Sequence, residues 1–190
     1  MTLYVIRHGE TIWNAAGRVQ GSMDSPLTER GRRQAQAVGQ LLASTLGAMA
    51  SPLRAYVSPL GRARATADII ARSVHLDRLD EPRLAEVGMG SWDGMTKSDI
   101  EAQNPEALSG ADAFDWFFRS PDGETFEAVR ERVSSWLAEL RTPAAAITHR
   151  ISARIAMGVF LGLTKSQMLE LPVPQDGFYE LADGKARFIR

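Results

Sequence analysis

MTLYVIRHGETIWN, residues 1–14, is the stretch from which the reading of the whole chain follows. Leu3, Tyr4, Val5 and Ile6 make a short apolar run with two β-branched members, the length and composition of a buried strand. Arg7 and His8 come at its carboxyl end, and Gly9 gives the chain a place to turn away. In open α/β sheets, ligands bind outside the carboxyl ends of the strands. An Arg-His pair after a strand is by itself more often part of a solvated loop. The pattern recurs, however. Ala55, Tyr56 and Val57 read as a second strand ending at Ser58-Pro59, with Arg62 within the first turn of the next helix. Ala144 to Thr148 read as another buried strand, ending at His149. Parallel strands bring such ends together, so residues far apart in sequence can share one pocket.

The rest of the chain supports alternating strands and helices. Residues 15–26 read as an ordered loop containing Gly17, Gly21 and Pro26. Thr28 is placed to cap a helix whose stripe is Ala35, Val38, Leu41, Leu42 and Leu46. A short strand is expected within Leu79–Glu86, followed by a loop with Gly88, Gly90 and Gly94. Residues 95–124 read as a small helical insertion beside the site, with Phe114, Trp116, Phe117 and Phe118 clustered in it. Phe126, Val129, Val133, Leu137 and Leu140 mark an amphipathic helix, and Ile151, Ile155, Val159 and Phe160 mark the one after His149. Thr164 caps a shorter helix, and Asp183-Gly184 closes a hairpin between 178–181 and 187–189. The alternation predicts an α/β sandwich with helices on both faces.

Composition bounds the function. The 190 residues suggest one domain, 44% apolar and 24% charged. There is no cysteine, which removes disulfides and thiolate zinc sites. The net charge of −1 argues against generic nucleic-acid binding, and no apolar run is long enough to span a bilayer. His8 lies so near the start that cleavage of a leader would remove it, so a cytoplasmic location is expected. Of 22 basic residues only Lys97, Lys165 and Lys185 are lysines. The guanidinium forks of the others suit phosphate geometry, although most must lie on the surface.

Arg7-His8-Gly9-Glu10-Thr11, with Trp13 and Asn14, resembles the signature of the histidine phosphatase superfamily, also called phosphoglycerate mutase-like. The resemblance continues in family order through GRVQGSMDSPLTERG at 17–31, SPLGRARATA at 58–67, LAEVGMGSWDG at 84–94, PDGET at 121–125 and ITHRISAR at 147–154. It implies a three-layer α/β/α sandwich with a mostly parallel central sheet. It also implies that His8 is a nucleophile forming a phosphohistidine, and that Glu86 gives a proton to the leaving group and then takes one from water. Arg7, Arg62 and His149, with Asn14 as a neutral donor, would surround the phosphoryl group. Gln20 and Gly21 would belong to the loop that touches the phosphate or substrate hydroxyls. His8 needs a partner on its other ring nitrogen to fix its tautomer, and a backbone carbonyl is expected. One residue departs from the pattern: where many members have glycine after the second histidine, this chain has Arg150. His75 matches no motif and is expected at the surface.

Fold resemblance alone does not choose an activity. Mutases of the family carry a Glu-Arg-His-Tyr-Gly segment and a basic insertion that grips a second phosphate. Here the stretch from Glu86 to Gly94 reads EVGMGSWDG, and 95–118 holds Lys97 and no arginine. Hydrolysis of a small phosphorylated metabolite by a metal-independent, cofactor-free histidine acid-type phosphatase is therefore expected. α-Ribazole-5'-phosphate phosphatase is the specific alternative. Phosphoglycerate mutase and a catalytically weak binding module on the same scaffold are the others. The expected partner is a small phosphomonoester, neither nucleic acid nor membrane, acting on a monomer or homodimer.

Overall fold

In the computed structural model, which describes residues 1–47, 51–112 and 114–190, the first strand lies inside the sheet. In chain order the elements are β1 (Leu3–Arg7), α1 (Ile12–Ala15), α2 (Glu29–Leu46), β2 (Leu53–Val57), α3 (Gly61–Ile70), β3 (Leu76–Asp80), α4 (Lys97–Gln103), α5 (Phe126–Glu139), β4 (Ala144–Thr148), α6 (Arg150–Leu161), α7 (Lys165–Glu170), β5 (Phe178–Ala182) and β6 (Lys185–Ile189). Short 3-10 turns cover Pro82–Leu84, Gly90–Trp92 and Asp115–Phe118. The strand order is β3-β2-β4-β1-β5-β6. The first four of these run parallel, while β5 and β6 are antiparallel to their neighbours.

Alternation along the strands builds the layers. Tyr4 and Ile6 of β1, with Ala145 and Ile147 of β4, face Val38 and Leu42 of α2 and Ala63, Ala67 and Ile70 of α3. Leu3 and Val5, with Ala144 and Ala146, face Trp136 of α5 and Ala153 and Met157 of α6. Side chains two apart share a face, so a continuous apolar run is what a strand covered by helices on both sides requires. The small alanines of β4 let α6 pack close against the middle of the sheet. A further cluster joins the insertion to the body: Trp92, Ile100, Trp116 and Phe117 pack with Val129, Val133, Ile151 and Ile155. The three-layer sandwich with a mostly parallel sheet and a helical insertion is thus observed; Ala113, within that insertion, lies outside the described residues.

One expectation needs correction. The strand placed within Leu79–Glu86 is Leu76–Asp80, and the chain then enters the Pro82–Leu84 turn. β3 is an edge strand whose residues 78–80 are exposed and whose sequence, LDRLD, lacks an apolar alternation. Charges on an edge blunt pairing with other chains, and they also hide the strand from a hydrophobicity reading. Pro82, with no N–H to give a ladder, ends it. The loop expected over 15–26 is observed and follows a single helical turn that the sequence did not display: Thr11 caps α1, and Thr11 and Asn14 bond reciprocally.

The turn after His8 is locked against α2. A Cβ on Gly9 would lie 2.3 Å from the Gly31 carbonyl oxygen, and a Cβ on Gly31 would lie 2.0 Å from that of Glu10. Both positions therefore need glycine. The Gly9 N–H donates to Thr66 Oγ1 at 3.1 Å, tying the turn to α3 as well. The closing hairpin turns at Asp183 (φ 50°) and Gly184 (φ 70°), both left-handed as a type I′ turn requires.

Candidate active site

The carboxyl ends of β1, β2 and β4 meet beneath a cleft of about 90 Å³. Arg7, His8, Asn14, Gln20, Gly21, Arg62 and Glu86 line it, which brings together seven of the eight residues singled out in the sequence. The eighth, His149, is fully buried behind them, with its ring centroid 5.1 Å from that of His8.

His8 is only 3% exposed. Its Nδ1 lies 2.7 Å from the carbonyl oxygen of Gly9. A carbonyl can only accept, so Nδ1 carries the proton and Nε2 keeps a lone pair. The fixing carbonyl expected from the sequence is thus that of the next residue. Burial first, then the charges of Arg7 and Arg62, hold the imidazole pKa well below its ordinary value, outweighing the Gly9 bond, which raises it. The ring is neutral at neutral pH.

The cations around it are held in different ways. Arg62 is buried and almost saturated: Nε donates to His149 Nδ1 at 3.1 Å, Nη1 to the Met23 carbonyl at 2.6 Å and to Asp24 Oδ1 at 2.9 Å, and Nη2 to the Gly21 carbonyl at 2.9 Å. A guanidinium has five N–H groups, so one on Nη2 remains for a ligand. Arg7 Nη1 donates to the Val173 carbonyl at 2.9 Å, while its Nε is buried with no partner among the described residues. Burial, with the like charges of Arg150 and Arg154 and against the pull of Glu86, brings the Arg7 pKa down to about 10, which still leaves it cationic.

Because Arg62 Nε can only donate, His149 Nδ1 accepts and its proton sits on Nε2, which lies 2.7 Å from Ser58 Oγ. Both ring nitrogens are engaged with protein. Burial, then Arg62 and the neighbouring groups His8, Arg7 and Arg132, keep this ring neutral too, its pKa well below the ordinary value. In this arrangement His149 touches Arg62 rather than the open cleft.

Asn14 is turned by its oxygen: Oδ1 accepts from the Thr11 N–H at 3.2 Å and from Gln175 Nε2 at 3.3 Å. The amide NH₂ is left for the cleft. Glu86 sits at the start of α6. Oε1 accepts from the N–H groups of Val87 at 3.1 Å, Ile151 at 3.2 Å and Ser152 at 3.2 Å, whereas Oε2 accepts only from Ile151 at 3.2 Å. A helix N-terminus offers such unpaired donors, and here a side chain of the protein takes them. Oε2, the less engaged oxygen, is the one free to carry a proton.

Several bracing residues escaped the sequence reading. Asp24 accepts from the backbone N–H groups of Gly61 and Arg62, capping α3 from the facing loop. Gln175 Nε2 also donates to the His8 carbonyl at 3.0 Å. Arg132 of α5 holds the Glu86 loop from below, donating to the carbonyls of Arg83 at 2.6 Å and Ala85 at 2.9 Å while pairing with Glu124. Asp24 and Glu124 lie inside motifs already noted; nothing local marks Arg132 or Gln175. Asp93, the other acid on the Glu86 loop, accepts from the N–H and hydroxyl of Ser22 at 3.0 and 2.7 Å. It packs under Gly21, whose φ of 48° and missing Cβ allow that approach. His75 is exposed. No described helix is long and apolar enough to cross a membrane.

The chain is similar in sequence and in fold to known proteins. The sequence model of the histidine phosphatase superfamily (branch 1) matches residues 3–187. The probable phosphoglycerate mutase GpmB of Photorhabdus laumondii is 36% identical over 168 residues, 85% of this chain and 74% of that protein. The crystal structure of a putative alpha-ribazole-5'-P phosphatase from Escherichia coli K-12 superposes with a TM-score of 0.83 at 26% identity, covering 99% of this chain and 94% of that one. A mycobacterial glucosyl-3-phosphoglycerate phosphatase complexed with VO3 gives 0.81 at 26% identity, covering 98% and 96%.

Proposed function

The chain belongs to the histidine phosphatase superfamily, and we propose that it hydrolyses a small phosphomonoester through a phosphohistidine on His8. The observation that carries this reading is the tautomer of His8: Nδ1–H is tied to the Gly9 carbonyl, leaving a neutral Nε2 lone pair in a cleft walled by Arg7 and Arg62.

In the first step Nε2 attacks phosphorus and the bond from phosphorus to the ester oxygen breaks. The ring gains a positive charge, which the Nδ1–H bond to Gly9 stabilises. The leaving oxygen takes the electron pair and receives the proton from Glu86 Oε2. In the second step water attacks phosphorus, Glu86 takes its proton, and the N–P bond breaks with its electrons returning to Nε2. One carboxyl group thus serves as acid and then base. Arg7, the free N–H of Arg62 and the Asn14 amide stabilise the charge on the phosphoryl oxygens. His149 orients Arg62. These groups supply the positive charge that a metal would otherwise bring, so the reaction is read as metal-independent and cofactor-free. A location in the cytoplasm fits a chain without cysteine.

Relatives named as a mutase and as phosphatases leave the choice of product open, and the insertion favours hydrolysis. Its lysine, Lys97, pairs with Glu101 at 3.1 Å on the surface. An α-ribazole-5'-phosphate substrate is the specific alternative. The test is release of inorganic phosphate from a panel of sugar phosphates, phosphoglycerates, nucleotides and α-ribazole phosphate, with and without EDTA. Release on at least one member, unchanged by EDTA, is expected. Strict dependence on added magnesium would overturn the metal-free mechanism.

A further inference from the structure

Arg150 is in an unfavourable place by three physical criteria. It is the first residue of α6, and a helix N-terminus repels a cation. It is half-buried, and taking a charge out of water without a partner is costly. Finally, it makes no hydrogen bond or ion pair among the described residues, and its Nε is buried and unsatisfied. Glu86 acts on it through charge alone, with no ion pair between them within 4.0 Å among the described residues. What holds the guanidinium is an aromatic face: its Cζ lies 5.0 Å from the centroid of Phe117, which is itself stacked on Trp116 at 4.1 Å. One turn further along α6, Arg154 repeats the arrangement over Phe114 at 4.8 Å, with Nη1 buried and unpartnered. Burial and the like charge of Arg150 bring the Arg154 pKa down to about 10.

Arg150 and Phe117 line the same cleft as His8 and Glu86. We propose that Arg150, held on Phe117 and backed by Arg154, is a specificity-determining residue that binds a second anionic group, a carboxylate or a phosphate, on the leaving-group side of the substrate. Such a group would pair the orphaned cation and offset the cost of its position, so the free protein bears a strain that a substrate with a second anionic group relieves. The Phe117 face positions the guanidinium beforehand while leaving its N–H groups without protein partners among the described residues, a fork suited to either anion. The cations come from α6 and not from the insertion, which contributes only the aromatic support. This inference rests on the reading of the cleft as a phosphomonoester site.

Binding to a protein without its nucleophile tests the subsite independently of turnover. In His8→Ala, 3-phosphoglycerate is compared with glycerol 3-phosphate, which replaces the carboxylate by a hydroxymethyl group. Fructose 1,6-bisphosphate is compared with fructose 6-phosphate for a second phosphate. Calorimetry is expected to give on the order of tenfold or tighter binding of the charged member in at least one pair, and the pair that responds identifies the anion. Adding Arg150→Gln should bring the members of that pair within about threefold, while Arg150→Lys retains part of the preference. Thermal melting checks that each variant is folded. Three results would overturn the proposal: no preference in either pair, a preference that survives the loss of Arg150, or an equal loss on both members, which would assign Arg150 to the reacting phosphoryl group. Absence of phosphate release by the wild-type protein with the binding preference intact would instead count against the hydrolase reading alone.

Discussion

In the proposed reaction, the bond from His8 Nδ1 to the Gly9 carbonyl decides which nitrogen attacks, and Glu86 gives the leaving group its proton. An alkyl phosphate leaves as a strongly basic alkoxide and needs a proton, whereas p-nitrophenolate leaves nearly unaided. Glu86→Gln is therefore expected to lose about 10² to 10⁴ in rate on an alkyl phosphate and much less on p-nitrophenyl phosphate in the phosphorylation step, measured by single-turnover kinetics. Equal losses on the two substrates would remove Glu86 as the acid. Asp93 is a poor substitute, because its carboxylate is spent on Ser22 and on the N–H of Met89. At this scale the sequence was informative where a residue sits in a motif beside the chemistry. It was silent on Gln175 and Arg132, which brace the site largely through backbone carbonyls contributed by distant segments. Contacts of that kind leave no local signature.

Strands and helices that bury a full face were legible, the closing hairpin and α7 were legible from their turn and cap, a charged edge strand was placed a few residues late, and a single helical turn went unread. β1 and β4 are buried on both sides and read as apolar runs, and α2 shows its cap, Thr28, and its stripe. β3 is a charged edge and α1 is a single turn held by its own capping box, so neither displays a period. The insertion carries the functional prediction at this scale. α4 and the Asp115–Phe118 turn supply apolar and aromatic side chains to the body, and the lysine of α4 is paired internally. A mutase must hold its phosphorylated form against water while the substrate reorients, and the two cations of this insertion, Lys97 and Arg119, are paired with its own Glu101 and Asp115. With 3-phosphoglycerate, the product of any reaction is expected to be inorganic phosphate, with negligible 2-phosphoglycerate even when 2,3-bisphosphoglycerate is supplied. Efficient isomerisation, followed by coupled assay, would show that the α6 cations Arg150 and Arg154 hold the substrate through its reorientation and that the insertion is not needed for it.

Folding gathers three strand ends and two neutral histidines into one electropositive interior, and this has a cost in acid. His8 and His149 both have pKa values well below their unfolded value near 6.5, chiefly through burial. Above that value both states are neutral and neither histidine affects stability. As pH falls below it, the unfolded chain binds protons that the folded protein refuses. Stability is thus lost on the acid side, by about 1.4 kcal/mol per pH unit for each histidine. Urea denaturation between pH 7 and 5 should show a fall shallower by about one proton's worth in His8→Asn than in the wild type. An unchanged slope would mean that His8 protonates freely in the folded protein and is not the neutral base its surroundings imply. The same assembly makes a covalent intermediate the central claim, and trapping that intermediate is its most direct test. Acid-labile but alkali-stable label from a ³²P-labelled phosphomonoester, rapidly quenched and mapped by digestion, is expected on the peptide containing His8 and absent in His8→Ala, which should not turn over. Label on the peptide containing His149, or full activity in His8→Ala, would contradict the account.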